Sequence, residues 1–265
     1  MNHIKHFLDF VNEDNGSEKM LGLAKGLISD LLTGKIADDP GNDGGSKNQK
    51  KTNLIKRFGS DKKFEVDLPE GGKVYGKDSN FTYLDLNTKE GFEAYSKICD
   101  SFIAKRPPNL LGVTGDMLAS GARDAFNNNL EYKGMKIGVK GRYVPPELAC
   151  AQLAMEGGIG NKNPESRPIK TKNPFNVGNV DSGSDVFHEQ VQSGINAYYF
   201  FMARDYLVPP KKASDLVTNF VNKSGNRYAS GTDYEKKISK ISMEANSVAQ
   251  PVLASLKMKT SPDLA

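Results

Sequence analysis

Apolar positions recur at helical spacing along most of the chain and alternate at strand spacing in one short region. Residues 3–12 and 18–33 read as short helices, the second with a stripe of Leu21, Leu23, Ala24, Leu27, Ile28, Leu31 and Leu32 and a stop at Thr33-Gly34. Such an isolated amphipathic helix cannot bury its stripe alone, so it folds back on a domain or docks on a partner. Residues 37–53 are polar and glycine-rich, which predicts a linker or a disordered loop. Lys63-Phe64-Glu65-Val66-Asp67-Leu68 alternates, Pro69-Glu70-Gly71-Gly72 signals a turn, and Lys73-Val74-Tyr75 and Phe81-Thr82-Tyr83-Leu84 follow as strands. A small hairpin or three-stranded element is expected over 62–86.

From Thr88 onward the pattern predicts helices over 88–105, 114–127, 145–157, 184–206, 210–223 and 231–257. The segment 158–183 between two of them is rich in Asn, Pro, Gly and Ser. It is long for a plain connector, and long ordered loops in compact domains are often functional. The expected organisation is mainly α: a helical docking segment at 1–36, a linker at 37–60, a small β element at 61–87 and a principal domain at 88–245. A helix end and tail occupy 246–265.

Charge and composition narrow the chemistry. A net charge of +4, from 36 basic and 32 acidic side chains, is too weak to argue for nucleic acid. It suits long-range attraction to an anionic polymer, and equally well ordinary solubility. No window holds about 18 consecutive apolar residues, so no membrane span is expected. Met1-Asn2-His3-Ile4-Lys5-His6-Phe7 lacks the basic start and apolar stretch of a secretory signal. Cys99 and Cys150 both sit in apolar helical stretches and read as buried thiols, with a disulfide left open. With three histidines and neither CxxC nor HExxH spacing, no zinc site is expected, and nothing calls for another cofactor.

The most informative stretch runs from Val144-Pro145-Pro146 to Glu156-Gly157-Gly158. Proline suits the first turn of a helix and glycine its end. Between them nearly every side chain is small or apolar, as in a helix buried on all sides. After Glu147, only Gln152 and Glu156 interrupt that run, and their i, i+4 spacing puts them on one face. A carboxylate at the end of a buried helix is disfavoured by desolvation and by the negative helix terminus. Both effects favour the protonated form that a general acid needs. The other reading is that Glu156 emerges into solvent where the helix ends.

Ala151-Gln152-Leu153-Ala154-Met155-Glu156-Gly157-Gly158-Ile159-Gly160 resembles the motif A-Q-A-A-L-E-S-G-W-G of the glucosaminidase family of lysozyme-like peptidoglycan hydrolases, which includes autolysins and the flagellar muramidase domain. Phe102-Ile103 and Val144-Pro145-Pro146 stand where members have an earlier helix and the approach to the catalytic one. Asn173-Pro174-Phe175-Asn176-Val177-Gly178 is similar to the family's N-N-L-F-G-I and to the N-P-G-N-V-G of phage cell-wall enzymes. Phe187 through Ala203 looks like the helix that follows, and Gly225 through Tyr234 resembles the late G-Y-A-T-D-P-x-Y motif. The likeness spans about Lys97 to Lys240. It departs from the pattern at Ile159, where the family has tryptophan, and in lacking the hairpin that bears a second acid.

The resemblance implies a lysozyme-like fold, and cleavage of the β-1,4 bond between N-acetylglucosamine and N-acetylmuramic acid with Glu156 as the acid. Asp181 and Asp185 are the nearest stand-ins for the second acid, and both also read as turn or helix-cap residues. Without that second acid a single-glutamate route follows, by hydrolysis or transglycosylation, with Tyr228 near the reacting N-acetyl group or else a core tyrosine. Gln152, Phe175, Asn176, Arg227 and Tyr234 are the expected substrate contacts, Gln152 equally a buried hydrogen-bond partner and Arg227 equally a surface charge. In place of the missing tryptophan, sugar stacking falls to Tyr228, Tyr198, Tyr199 or Phe175. The phage-like loop implies a tailed-phage particle component whose N-terminal helices dock on another virion protein and whose partner is the bacterial wall. Two other classes remain open: a virion structural protein with a degenerate site, and a module that binds glycan without cutting it.

Overall fold

A hairpin opens the described part of the chain. The computed structural model describes residues 74–179, 185–229, 231 and 233–260, all within one compact unit, Thr52–Ala265. Strands β1 (Val74–Asp78) and β2 (Phe81–Tyr83) pair antiparallel, with Gly76 opposite Tyr83 and Asp78 opposite Phe81. Their turn falls at Ser79-Asn80, where Ser79 adopts φ 55°. The helices expected at 3–12 and 18–33, the linker, the strand at 63–68 and the turn at 69–72 lie outside the described residues.

The protein is mainly helical. Helix α1 (Lys89–Ala104) is capped by the Thr88 hydroxyl, which accepts from the Gly91 N–H at 3.0 Å. Thr114 caps α2 (Gly115–Phe126) in the same way. A two-residue hairpin follows, β3 (Glu131–Tyr132) and β4 (Met135–Lys136), turning through Lys133-Gly134. The hydrophobic pattern did not signal it, because strands of two residues have no period to read.

Helix α3 (Pro146–Met155) is the predicted apolar helix, and every residue from Pro146 to Leu153 is buried. The short α4 (Arg167–Lys170) comes next, then α5 (Val191–Phe201), which widens into a π-helical turn over Met202–Tyr206. Helix α6 (Ala213–Leu216), the long α7 (Tyr234–Ser255) and strand β5 (Lys259–Thr260) complete the order. α3 packs on α7, α1 and β2, and α1 also packs on α2 and α7. Cys99 and Cys150, on α1 and α3, are buried free thiols.

Three expectations are corrected. The helix expected over 184–206 starts only at Val191, because the residues before it are held as a loop: the His188 N–H donates to the Thr171 carbonyl at 2.9 Å. The helix expected over 210–223 is reduced to α6. Beyond it Val221 pairs with Arg227 across a tight turn in which Asn222 accepts from the N–H groups of Ser224 and Asn226. Residues 246–260 are more than a helix end and tail, since Val248, Ala249 and Leu253 are buried and β5 pairs in parallel with β1.

The β hairpin is no separate element either. Phe81, Leu84 and Leu86 are each at most 2% exposed and join the same core as α1, α3 and α7. Thr82 donates its N–H to Glu147 Oε2 at 3.0 Å and its hydroxyl to Oε1 at 2.5 Å, and the Leu84 N–H donates to the Tyr143 hydroxyl. Glu147 is wholly buried in the first turn of α3, so Thr82 supplies donors that water would otherwise provide. A boundary at Thr88 therefore cuts through the core. Burying three such apolar side chains is worth roughly 5 kcal/mol or more, comparable with the whole stability of a domain.

A chain starting at Thr88 is thus expected not to fold, read by far-UV circular dichroism and by the absence of a cooperative melt. A melt like that of the full chain would place the boundary back at Thr88. In the full chain, Thr82→Val, which removes one donor to a buried carboxyl, is expected to cost about 1–3 kcal/mol in chemical denaturation.

Candidate active site

Glu156 ends α3, and two glycines shape the end. The Gly158 N–H donates to the Leu153 carbonyl at 3.0 Å and the Gly157 N–H to that of Ala154 at 3.3 Å. Gly157 has φ +78°, which completes a left-handed helix stop and leaves Glu156 as the last right-handed residue. Gly158 then lets the next loop touch the helix end: a Cβ there would sit 2.4 Å from the Pro174 carbonyl oxygen. Gly194, in the first turns of α5, meets the same loop from the other side, where a Cβ would lie 2.5 Å from the Lys172 oxygen.

Between these two contacts the loop is closed by Asn173, whose side chain donates to the Val177 carbonyl at 2.8 Å and accepts from its N–H at 3.1 Å. The closed turn holds Asn176 at φ 54°, with its side chain close enough to the Glu156 carboxyl to pull its pKa down. From the opposite direction Tyr234, the first residue of α7, donates its hydroxyl to Glu156 Oε1 at 3.3 Å. Burial pushes the Glu156 carboxyl up to about 7, against the smaller downward pull of the hydrogen bonds from Tyr234 and Asn176.

Tyr228 stands beside this pair. Its ring stacks on Tyr234 with centroids 5.5 Å apart, and its hydroxyl lies 3.5 Å from the Phe175 carbonyl oxygen. The turn at 221–227 delivers it, and the Tyr228 N–H donates back to the Phe220 carbonyl at 2.8 Å. The π-helical turn brings Tyr206 to its other side, 5.5 Å from the Tyr228 ring. That turn is anchored by Asp205, which pairs with Lys223 at 2.8 Å.

The remaining expected site residues divide. Gln152 is wholly buried one turn before Glu156, accepting from the Tyr198 hydroxyl at 2.7 Å and donating to that of Tyr234 at 3.4 Å. It is a buried hydrogen-bond partner. Phe175 is wholly buried too, stacked on Tyr198 at 3.7 Å between centroids, so its ring belongs to the core and cannot meet a sugar. Tyr198 and Tyr199 are equally enclosed. Arg227 turns to Glu235 at 2.6 Å and to the Gly231 carbonyl, tying the turn to the start of α7. Asp185 pairs with Arg167 at 3.0 Å and caps no helix, since Gln190 precedes α5. Asp181 lies outside the described residues.

The hydrophobic pattern missed the turn that carries Tyr228 and therefore its neighbour relations. The signal was Asn222-Lys223-Ser224-Gly225-Asn226, a run of turn formers that begins within the last residues of the helix expected over 210–223. It also missed Phe187, which is 69% exposed and follows Val186, whose N–H is bonded to the Asn179 side chain. Among the described residues no group of three or more His, Cys, Asp or Glu is placed to hold a metal ion, and no helix is long and apolar enough to cross a membrane. No family model, curated protein or solved structure matches the chain.

α3 thus carries two enclosed carboxyls, for burial also pushes Glu147 up to about 7. Both bind a proton more tightly in the native state than in the unfolded chain, where the ordinary value is 4.5. Their stabilising contribution is fully present below about pH 4.5 and is lost as pH rises through about 7, on the order of 3 kcal/mol for each group. The melting temperature is expected to fall over that window, and Glu156→Gln to flatten the fall by about half. A melting temperature unchanged from pH 4.5 to 7.5 would show that neither carboxyl holds its proton.

Proposed function

We propose that the protein cleaves the glycan strands of peptidoglycan, with Glu156 as general acid. One observation carries this reading. Three separate segments resemble the glucosaminidase family, and one residue of each meets at a single carboxyl: Glu156 from the first, Asn176 from the second and Tyr234 from the third. Glu147 is the internal contrast. Its carboxyl is raised to a similar degree, yet it is wholly buried and both its oxygens are taken by Thr82. Glu156 is half-buried as a residue, and of the two it alone keeps any exposure.

In the proposed reaction, protonated Glu156 gives its proton to the oxygen bridging N-acetylmuramic acid and N-acetylglucosamine. The bond from that oxygen to the anomeric carbon breaks, and its electron pair leaves with the oxygen. The carboxylate left behind is met by the Tyr234 hydroxyl and the Asn176 amide. With Asp185 committed to Arg167, attack on the anomeric carbon by a neighbouring group of the substrate is the favoured route, with Tyr228 beside the acid to orient the N-acetyl group. Phe187 offers an exposed aromatic ring to the polymer in place of the absent tryptophan. We further propose that the chain acts from a tailed-phage particle, a reading that rests on the phage-like Asn173–Gly178 loop.

A second reading, a virion structural protein or a glycan-binding module, is favoured by the enclosure of Phe175, Tyr198 and Tyr199, which removes three of the four rings offered for sugar stacking. Activity separates the two. Glu156→Gln is expected to lower the clearing of a wall suspension by about 10²–10⁴-fold, with unchanged far-UV spectrum. In the unaltered protein, kcat/KM is expected to fall as pH rises through about 7, since the acid works only while protonated. Wall binding without cleavage by the unaltered protein would decide for the second reading. Mass spectrometry of the released muropeptides identifies the bond cut and distinguishes a reducing end from a 1,6-anhydro end.

A further inference from the structure

Glu156 is the end point of two runs of hydrogen bonds that arrive from different sides and point the same way. In the first, the Tyr198 hydroxyl donates to Gln152 Oε1 at 2.7 Å, Gln152 Nε2 donates to the Tyr234 hydroxyl at 3.4 Å, and that hydroxyl donates to Glu156 Oε1 at 3.3 Å. In the second, the Val186 N–H donates to Asn179 Oδ1 at 2.6 Å, Asn179 Nδ2 donates to Asn176 Oδ1 at 2.7 Å, and the Asn176 side chain lies beside the Glu156 carboxyl and pulls its pKa down.

The direction of the second run is fixed by a group that cannot reverse, and that of the first follows from the Gln152 amide, which turns its Oε1 to Tyr198 and its Nε2 to Tyr234. A backbone N–H only donates, so it sets which end of the Asn179 amide faces Val186 and hence which end faces Asn176. An amide nitrogen also only donates, so Gln152 occupies the Tyr234 oxygen and leaves that hydroxyl's hydrogen for Glu156. Gln152 is wholly buried and Asn179 is 3% exposed, so water does not readily replace either. Donors to a carboxyl gain strength as it becomes an anion, and in an enclosed site they need no reorganisation when the charge appears.

We propose that Gln152 and Asn179, neither of which touches the carboxyl, are positioning residues: acting through Tyr234 and Asn176, they hold donors on Glu156 that stabilise its carboxylate as the proton leaves. The inference rests on the reading of Glu156 as general acid. It adds that the site is built to keep the proton until it is needed and then to receive the negative charge. Burial supplies the first property and the two runs supply the second. The titratable groups facing Glu156 are Tyr198 on α5, Tyr228 in the turn and Tyr234 on α7. Burial raises all three hydroxyls well above their usual range, so they remain neutral donors.

The test is a ¹³C-carboxyl NMR titration of the full chain, with the Glu156 signal assigned by its loss in Glu156→Gln. Tyr234→Phe is expected to raise the midpoint by about one unit or more, the effect of losing one hydrogen bond to a charged group. Gln152→Met is expected to raise it by less, and to add nothing when combined with Tyr234→Phe, because it acts through that hydroxyl. Asn179→Ala is expected to raise it independently, adding fully to Tyr234→Phe. Tyr198→Phe removes only a hydroxyl and reads the first run from its far end, so the comparison survives if Gln152→Met does not fold. Unmoved midpoints in Tyr198→Phe and Asn179→Ala would overturn the proposal, as would full additivity of Gln152→Met with Tyr234→Phe. Wall-clearing assays on the same samples keep the two claims apart. Shifted midpoints in a protein that never cleaves walls support the positioning and sink the enzyme reading, whereas cleavage with unmoved midpoints overturns the positioning alone.

Discussion

A helix with no polar face must be enclosed on every side, and α3 is such a helix. Its run of Leu148, Ala149, Cys150, Ala151 and Leu153 is without exposure, so α1, α7 and β2 are all required to close around it. That one constraint explains why a three-residue strand is part of the core. It also sets the chemistry. A buried polar side chain carried on α3 has no water to turn to, so Glu147 and Gln152 must each find partners within the protein.

The two glutamates show how position along one buried helix separates structural from chemical roles. Glu147 lies in the first turn, where the helix terminus favours negative charge and Thr82 covers both oxygens. Glu156 is the C-cap, just past Met155, where the helix terminus opposes negative charge and a neighbouring loop, rather than a strand, closes the space. That wall is a loop closed by Asn173 and wedged between Gly158 and Gly194. The reactive role is proposed for the end with that wall.

Much of this was legible in the sequence. Pro145-Pro146 and Gly157-Gly158 bracket α3 to within a residue or two, and the apolar composition between them reports its burial. The helices at α1, α2 and α7 were visible because each is long enough for several periods of its stripe. Three things were not legible, for physical reasons. Hairpins such as β3–β4 are shorter than any period. The segment 210–223 has helical apolar spacing, but Asn219 and Asn222 near its end, with Gly225 just beyond, favour a turn. Whether an aromatic ring faces a ligand or the core depends on tertiary packing, which is why Phe175 read as a sugar platform and proves to be stacked on Tyr198. Family likeness put Tyr234 among the substrate contacts, while its bond to Glu156 and the buried link through Gln152 depend on tertiary packing.

The missing tryptophan has an optical consequence. With ten tyrosines and no indole, the near-ultraviolet absorption and emission of the chain come mainly from phenol rings. Four of those rings, Tyr198, Tyr206, Tyr228 and Tyr234, form one connected group around Gln152 and Glu156. Phenol emission is quenched when the hydroxyl is hydrogen-bonded to an ionised carboxylate, and a protonated carboxyl quenches less. The protein therefore carries its own chromophore at the carboxyl, unmasked by the brighter residue that dominates most proteins of this size.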